Sequence, residues 1–190
     1  GIGNVSGLLE SEDCLATLNI FKMLGVKIEK IDKNSYSIEG KGLYGLKETE
    51  KNLDCGNSGT SMRLLAGLLS AQKFSSNLVG DSSLNKRPME RIAIPLTKMG
   101  ANINLSDHKT APIKINSAKK ILPIEYEMPI DSAQIKSSII LASLYADGET
   151  KIIENTPTRD HTENMVNFLN GNIIKVTNKI IIDPKTKVIS

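Results

Sequence analysis

"DCGNSGTSMRLLAGLLS", residues 54–70, sets two glycines, an asparagine and several hydroxyls directly before an apolar run. Such residues suit a tight turn, a helix cap, or a cradle in which an anion approaches glycine backbone. The run is apolar nearly all the way round, which predicts a helix buried on most sides. "SAQIKSSIILASLYA", residues 132–146, reads the same way, and Asn57 and Asp131 stand just ahead of the two runs.

A second kind of helix alternates with the first. "SEDCLATLNIFKMLG" ends at Gly25, "NKRPMERIAIPLTKMG" at Gly100 and "RDHTENMVNFLNG" at Gly171, so the glycines lie 75 and 71 residues apart. Each segment spaces its apolar residues as a helix does and ends on a glycine suited to a left-handed cap. Two alternating stretches follow each one: "VKIEKID" with "SYSIEG", "ANINLSD" with "APIKIN", and "NIIKVTN" with "KIIID". Alternation predicts strands with one face in water. "FSSNLVG" and "ETKIIEN" follow the buried helices as further strands, and "NVSGLLE" is their counterpart near the start.

The pattern predicts an α/β fold of the α+β type, three βαβαββ repeats with central buried helices and outer four-stranded sheets. Expected boundaries are residues 1–50, 51–120 and 121–190, all in one domain, with the first repeat incomplete because its buried helix lies outside the chain. Pro95 should kink the second outer helix.

Composition narrows the function. Of 190 residues, 39% are hydrophobic and 24% charged, and the net charge is only +3. That charge is too mild for a nucleic-acid surface, and with 4% aromatics and no tryptophan base stacking is a poor fit. Cys14 and Cys55 form no CxxC pair, and no apolar run approaches the ~18 residues of a membrane span. A cytoplasmic protein with neither membrane nor nucleic-acid partners is expected.

The polar motifs leave alternatives open. "GNSGT" lacks the lysine of a phosphate loop and the spacing of a dinucleotide fingerprint, so capping by Asn57 or Ser58 competes with anion binding. Lys86 and Arg87 precede Pro88, a residue suited to opening a helix, where a cation opposes the dipole and structure gains nothing from it. Arg159 shares that position. Ser132 and Gln134 offer neutral hydrogen bonds, with Asp131 or Ser132 as a possible cap; Asp160 and Glu163 read as a capping box. His161 and His108 lack partners at metal-ligand spacing, and no metal is expected. If the repeats pack about a pseudo-threefold axis, these helix starts gather around one anionic small molecule.

Four stretches in order, "LDCGNSGTSMRLLAGLL", "GDSSLNKRPMERIAIPLTKMGA", "DSAQIKSSIILASL" and "RDHTENM", resemble the motifs of the 5-enolpyruvylshikimate-3-phosphate synthase family. The resemblance implies a two-domain enzyme, closing on its substrates, that moves the enolpyruvyl group of phosphoenolpyruvate onto shikimate 3-phosphate without metal or organic cofactor. By motif match it implies that Asn57, Gly59, Arg87 and Gln134 contact phosphoenolpyruvate. It implies that Ser132, Ala133, Gln134 and Arg159 contact shikimate 3-phosphate. The family's Lys-Ser…Arg motif, its second domain and its acid–base residues are expected outside this chain, which is therefore expected to bind without turnover.

Ala133 stands where many members carry a second serine, and Leu64 follows Arg63 where many have proline; both resemble a subgroup less sensitive to glyphosate, whereas Gly59 resembles sensitive members. Two alternatives are a non-catalytic anion-binding module of the same fold and the UDP-N-acetylglucosamine enolpyruvyl transferase. The latter family usually carries a cysteine in the loop that here reads "GDSSLNKRPM".

Overall fold

The computed structural model describes residues 1–184. The first third holds β1 (Ile2–Ser6), α1 (Glu12–Met23), β2 (Lys27–Asp32) and β3 (Ser35–Glu39). The second holds β4 (Leu53–Asp54), α2 (Gly59–Leu69), β5 (Ser76–Val79), a 3-10 turn (Leu84–Lys86), α3 (Glu90–Lys98), β6 (Asn102–Asn104) and β7 (Ile113–Asn116). The last holds β8 (Glu125–Glu127), α4 (Ala133–Ser143), β9 (Thr150–Ile153), α5 (His161–Phe168), β10 (Asn172–Val176) and β11 (Lys179–Asp183).

Two sheets share one topology. The orders β4-β5-β7-β6 and β8-β9-β11-β10 each place the first strand parallel to the second, with α2 or α4 as the crossover, and pair the rest antiparallel. The third sheet, β1-β3-β2, repeats the last three positions of that order and has three strands among the described residues. The βαβαββ pattern read from hydrophobic periodicity is therefore the architecture.

α2 and α4 run through the middle. α2 buries Met62, Leu65, Ala66 and Leu69, and α4 buries Ile135, Ile139, Ile140 and Ala142. Leu53, Leu78, Ile113 and Ile115 of one sheet, and Tyr126, Ile152, Ile180 and Ile182 of another, pack into the same core. Gly67 lets the inner helices touch: a Cβ there would overlap the Ser138 carbonyl oxygen.

The outer helices end alike, with one displacement. Gly25 (φ 85°) and Gly100 (φ 89°) take the left-handed conformation, and the residue after each closes the cap, Val26 to Phe21 O and Ala101 to Leu96 O. In the third repeat Asn170 (φ 62°) takes that conformation and Gly171 itself closes the cap onto Val166 O at 2.8 Å. The expected left-handed role of Gly171 is thus corrected by one residue. Gly171 is small because a Cβ would crowd Val166, 2.8 Å from its carbonyl oxygen.

One further expectation changes. Pro88 does not open α3: it forms an isolated bridge with Thr110, Arg87 is extended after the 3-10 turn, and the helix begins at Glu90. Past Pro95 the chain stays helical to Lys98, with Met99 N–H closing the last turn onto Pro95 O at 3.0 Å.

Candidate functional site

The opening stretch divides its work among four small residues. Gly56 takes a left-handed turn (φ 55°) and donates its N–H to Asp54 Oδ1 at 2.8 Å. Ser58 caps α2, its Oγ accepting from Ser61 N–H at 3.2 Å, and so fills the role also considered for Asn57. Asn57 instead donates through Nδ2 to Asp81 Oδ2 at 2.7 Å and accepts from Arg87 Nη2 at 2.8 Å. Gly59 makes room: a Cβ there would lie 2.8 Å from Arg63 Nη1 and 3.2 Å from Arg87 Nη1. A glycine at the helix start lets two guanidinium groups close over it without being pushed aside.

Gln134, the second residue of α4, meets this cluster. Arg63 Nη1 donates to Gln134 Oε1 at 2.7 Å, and Gln134 Nε2 donates to Thr60 Oγ1 at 2.8 Å. Arginine only donates, so the amide orientation is fixed by chemistry. Arg63 Nη2 also reaches Pro88 O at 3.4 Å, tying in the segment ahead of α3.

A cleft of about 150 Å³ continues from Gln134, lined by Thr60, Leu64, Ala133, Arg159, His161 and Thr162 among others. Ser137 and Thr162 share a hydroxyl hydrogen bond of 2.6 Å in its wall. The structure therefore brings Asn57, Gly59, Arg87 and Gln134 into one bonded cluster, and sets Ala133 and Arg159 with Gln134 around one cleft. Ser132, at the N-cap of α4, is next to that cleft, and its side chain makes no capping bond to the first N–H groups of the helix.

Asp131 is not a cap for α4 either. Its carboxylate accepts from the Asn155 and Thr156 N–H groups at 2.9 and 2.8 Å, in the segment after β9. The expected Asp160–Glu163 capping box is absent: Asp160 makes no side-chain cap bond, and Glu163 Oε1 lies 2.6 Å from Lys136 Nζ. A buried ammonium outcompetes a helix end for that carboxylate.

The electrostatics are one-sided. The chain has four arginines, Arg63, Arg87, Arg91 and Arg159. Among the described residues every ion pair uses a lysine and none uses an arginine. Burial, with the Arg87 and Arg91 cations adding to it, pushes Arg63 below the ordinary arginine value. Guanidinium groups that converge on helix starts without a direct ion pair make a receptor for an anion with several charged oxygens. Sequence reading missed Arg63 as part of this site; its signal was a cation within an otherwise apolar helix, one turn after Gly59.

Known proteins place the chain. The family described as EPSP synthase (3-phosphoshikimate 1-carboxyvinyltransferase) matches residues 2–190. A 3-phosphoshikimate 1-carboxyvinyltransferase of Legionella pneumophila (strain Philadelphia 1) is 52% identical over 183 residues, covering 96% of this chain and 42% of that protein. One from Hydrogenovibrio crunogenus is 50% identical over 167 residues, covering 88% of this chain and 38% of that protein. The solved EPSP synthase of Acinetobacter baumannii superposes with a TM-score of 0.97 at 48% identity, covering all of this chain and 43% of that one. The chain thus spans about four-tenths of the length of the curated relatives it matches. On sequence and on fold alike, it belongs to the EPSP synthase family.

Proposed function

We propose that this chain is one domain, residues 1–190, of a 3-phosphoshikimate 1-carboxyvinyltransferase, contributing half of the site that transfers the enolpyruvyl group of phosphoenolpyruvate to the 5-hydroxyl of shikimate 3-phosphate. The observation that carries the reading is the convergence of Arg63, Arg87 and Gln134 at the start of α2, with neither guanidinium in an ion pair among the described residues. Asn57, Gly59, Arg87 and Gln134 bind phosphoenolpyruvate. Ser132, Ala133, Gln134 and Arg159 bind shikimate 3-phosphate, with Gln134 between the two. Fixed donors aimed at phosphate and carboxylate oxygens orient both reactants and hold the charge that develops during transfer. Proton transfers belong to groups on the second domain, so the domain alone binds without turnover, in the cytoplasm where its substrates are made.

Calorimetric titration with shikimate 3-phosphate tests this. Weak binding is expected, abolished by Gln134→Ala and largely spared by Arg87→Ala; identical behaviour of all three proteins would refute the assignment. Turnover is expected only on mixing with the complementary domain, and robust turnover by this chain alone would place the catalytic groups here after all.

A further inference from the structure

One charged cluster, centred on Lys136, lies behind the cleft and outside the network of Asn57, Gly59, Arg63, Arg87 and Gln134. Lys136, two residues after Gln134, is 0% exposed, although it carries an ammonium group. Its Nζ lies 3.2 Å from Glu154 Oε2, 2.6 Å from Glu163 Oε1 and 3.5 Å from the Thr158 carbonyl oxygen. Burying such a cluster is costly, and apolar residues of similar volume commonly stabilise a core at least as well. Core stability alone is a weak reason for it.

Its connections give a stronger one. Glu154 Oε2, the atom that faces Lys136, also accepts from Thr158 N–H at 3.1 Å and from Thr158 Oγ1 at 3.0 Å. Glu154 Oε1 is held separately by Lys175 at 2.8 Å. Asp131, at the other end of the same segment, grips the Asn155 and Thr156 N–H groups. The start of α4 thus holds residues 155–158 at two points, and Arg159 comes next in the chain. The Arg159 side chain has no hydrogen bond or ion pair of its own among the described residues, so the backbone beneath it is its main polar-anchored support.

We infer that Lys136 is a positioning residue: through Glu154 and Thr158 it fixes the backbone that carries Arg159 to the cleft, and so sets that guanidinium against the phosphate of the substrate. The substrate half of this inference rests on the proposed function; the backbone half does not. One helix then places two of the ligand contacts, Gln134 directly and Arg159 through the buried ion cluster.

The test uses the 190-residue chain and two variants, Lys136→Met and the milder Thr158→Val, which deletes one hydroxyl and leaves the ions in place. Backbone amide relaxation by NMR, without ligand, should show Thr158, Arg159 and Asp160 losing order in both while α2 and α3 stay rigid. Unchanged order in Thr158→Val overturns the inference whatever the ligand does. Titration with shikimate 3-phosphate should weaken by about three- to tenfold in Thr158→Val, the size of one hydrogen bond of ordinary net strength. Unphosphorylated shikimate should bind both proteins equally. In an Arg159→Ala background Thr158→Val should add nothing, whereas a loss that adds in full means Lys136 and Thr158 act on the core and not through Arg159. A parent chain that binds no shikimate 3-phosphate refutes the substrate reading, and the amide order still decides the positioning.

Discussion

Arg63 Nη1 donates to Gln134 Oε1 at 2.7 Å, joining the two inner helices through a partly buried cation and a neutral amide. Arg63 also reaches Gly59 O and Pro88 O, each at 3.4 Å, so one planar group spans three segments. Arg63→Ala should free Gln134 and lower affinity for shikimate 3-phosphate by about tenfold, the loss expected of a hydrogen bond to a charged group. Arg63→Lys should restore little, because a point charge cannot span the three acceptors. Calorimetry on both variants, with a thermal melt to verify folding, checks this; full restoration by lysine would mean that charge alone matters.

The contact between Gly67 and Ser138 is a second joint between the same helices. Alanine at position 67 would have to displace backbone, because the overlapping atom is the Ser138 carbonyl oxygen. Such overpacking costs about 1–3 kcal/mol or more. Gly67→Ala should therefore lower the urea midpoint, although alanine favours a helix over glycine in isolation. An unchanged midpoint would show that α2 and α4 can separate freely.

These two joints also mark the limit of what the residues disclose unaided. The periodicity of "MRLLAGLL" and "QIKSSIILAS" shows that both helices are buried, since apolar residues on every side leave no wet face. It does not show that Gly67 meets Ser138, because two helices can pack in many registers. The glycine rule found the caps at Gly25 and Gly100 but shifted the third by a residue, since Asn170 also tolerates a left-handed conformation. At the site, Gly59, Arg87 and Gln134 were legible from helix starts and family motifs. The partners of Asn57 and Glu163 were not: local rules offer a cap, while Asp81 and Lys136, distant in sequence, bind these side chains in the folded chain.

Stability should depend on pH through Glu154. Burial alone would raise its pKa, but Lys175, the Thr158 N–H and hydroxyl, and Lys136 together outweigh burial and hold it below the ordinary 4.5. A carboxyl depressed by folding contributes stability above its unfolded value, and that contribution disappears as pH falls through the folded value. The urea midpoint of the parent should therefore decline below about pH 4.5. Glu154→Gln should begin lower at pH 7 and decline less steeply. Parallel curves for the two proteins would remove Glu154 from the acid response.

Arg87 is aimed by a relay that begins at a carboxylate it does not pair with. Asp81 Oδ1 accepts from the Ser83 and Leu84 N–H groups at 2.9 and 2.7 Å, and its Oδ2 accepts from Asn57 Nδ2 at 2.7 Å. All three partners are donors, which suits an ionised carboxylate, and these bonds, that of Asn57 foremost, depress the Asp81 pKa. Asn57 thereby turns its own oxygen to Arg87 Nη2 at 2.8 Å. Asp81→Asn, nearly the same in shape, must point an NH₂ either at the backbone N–H groups or at Asn57. In the second case the Asn57 amide flips and Arg87 loses its acceptor; in the first the turn at Ser83 and Leu84 loosens beneath it. Phosphoenolpyruvate affinity, measured with shikimate 3-phosphate present, should fall by about three- to tenfold, as for one hydrogen bond of ordinary net strength. Shikimate 3-phosphate affinity alone should hold, since Arg159 and Gln134 do not depend on this relay. Combined with Arg87→Ala, Asp81→Asn should have little left to remove, and independent effects of the two would show that Asp81 does not act through Arg87.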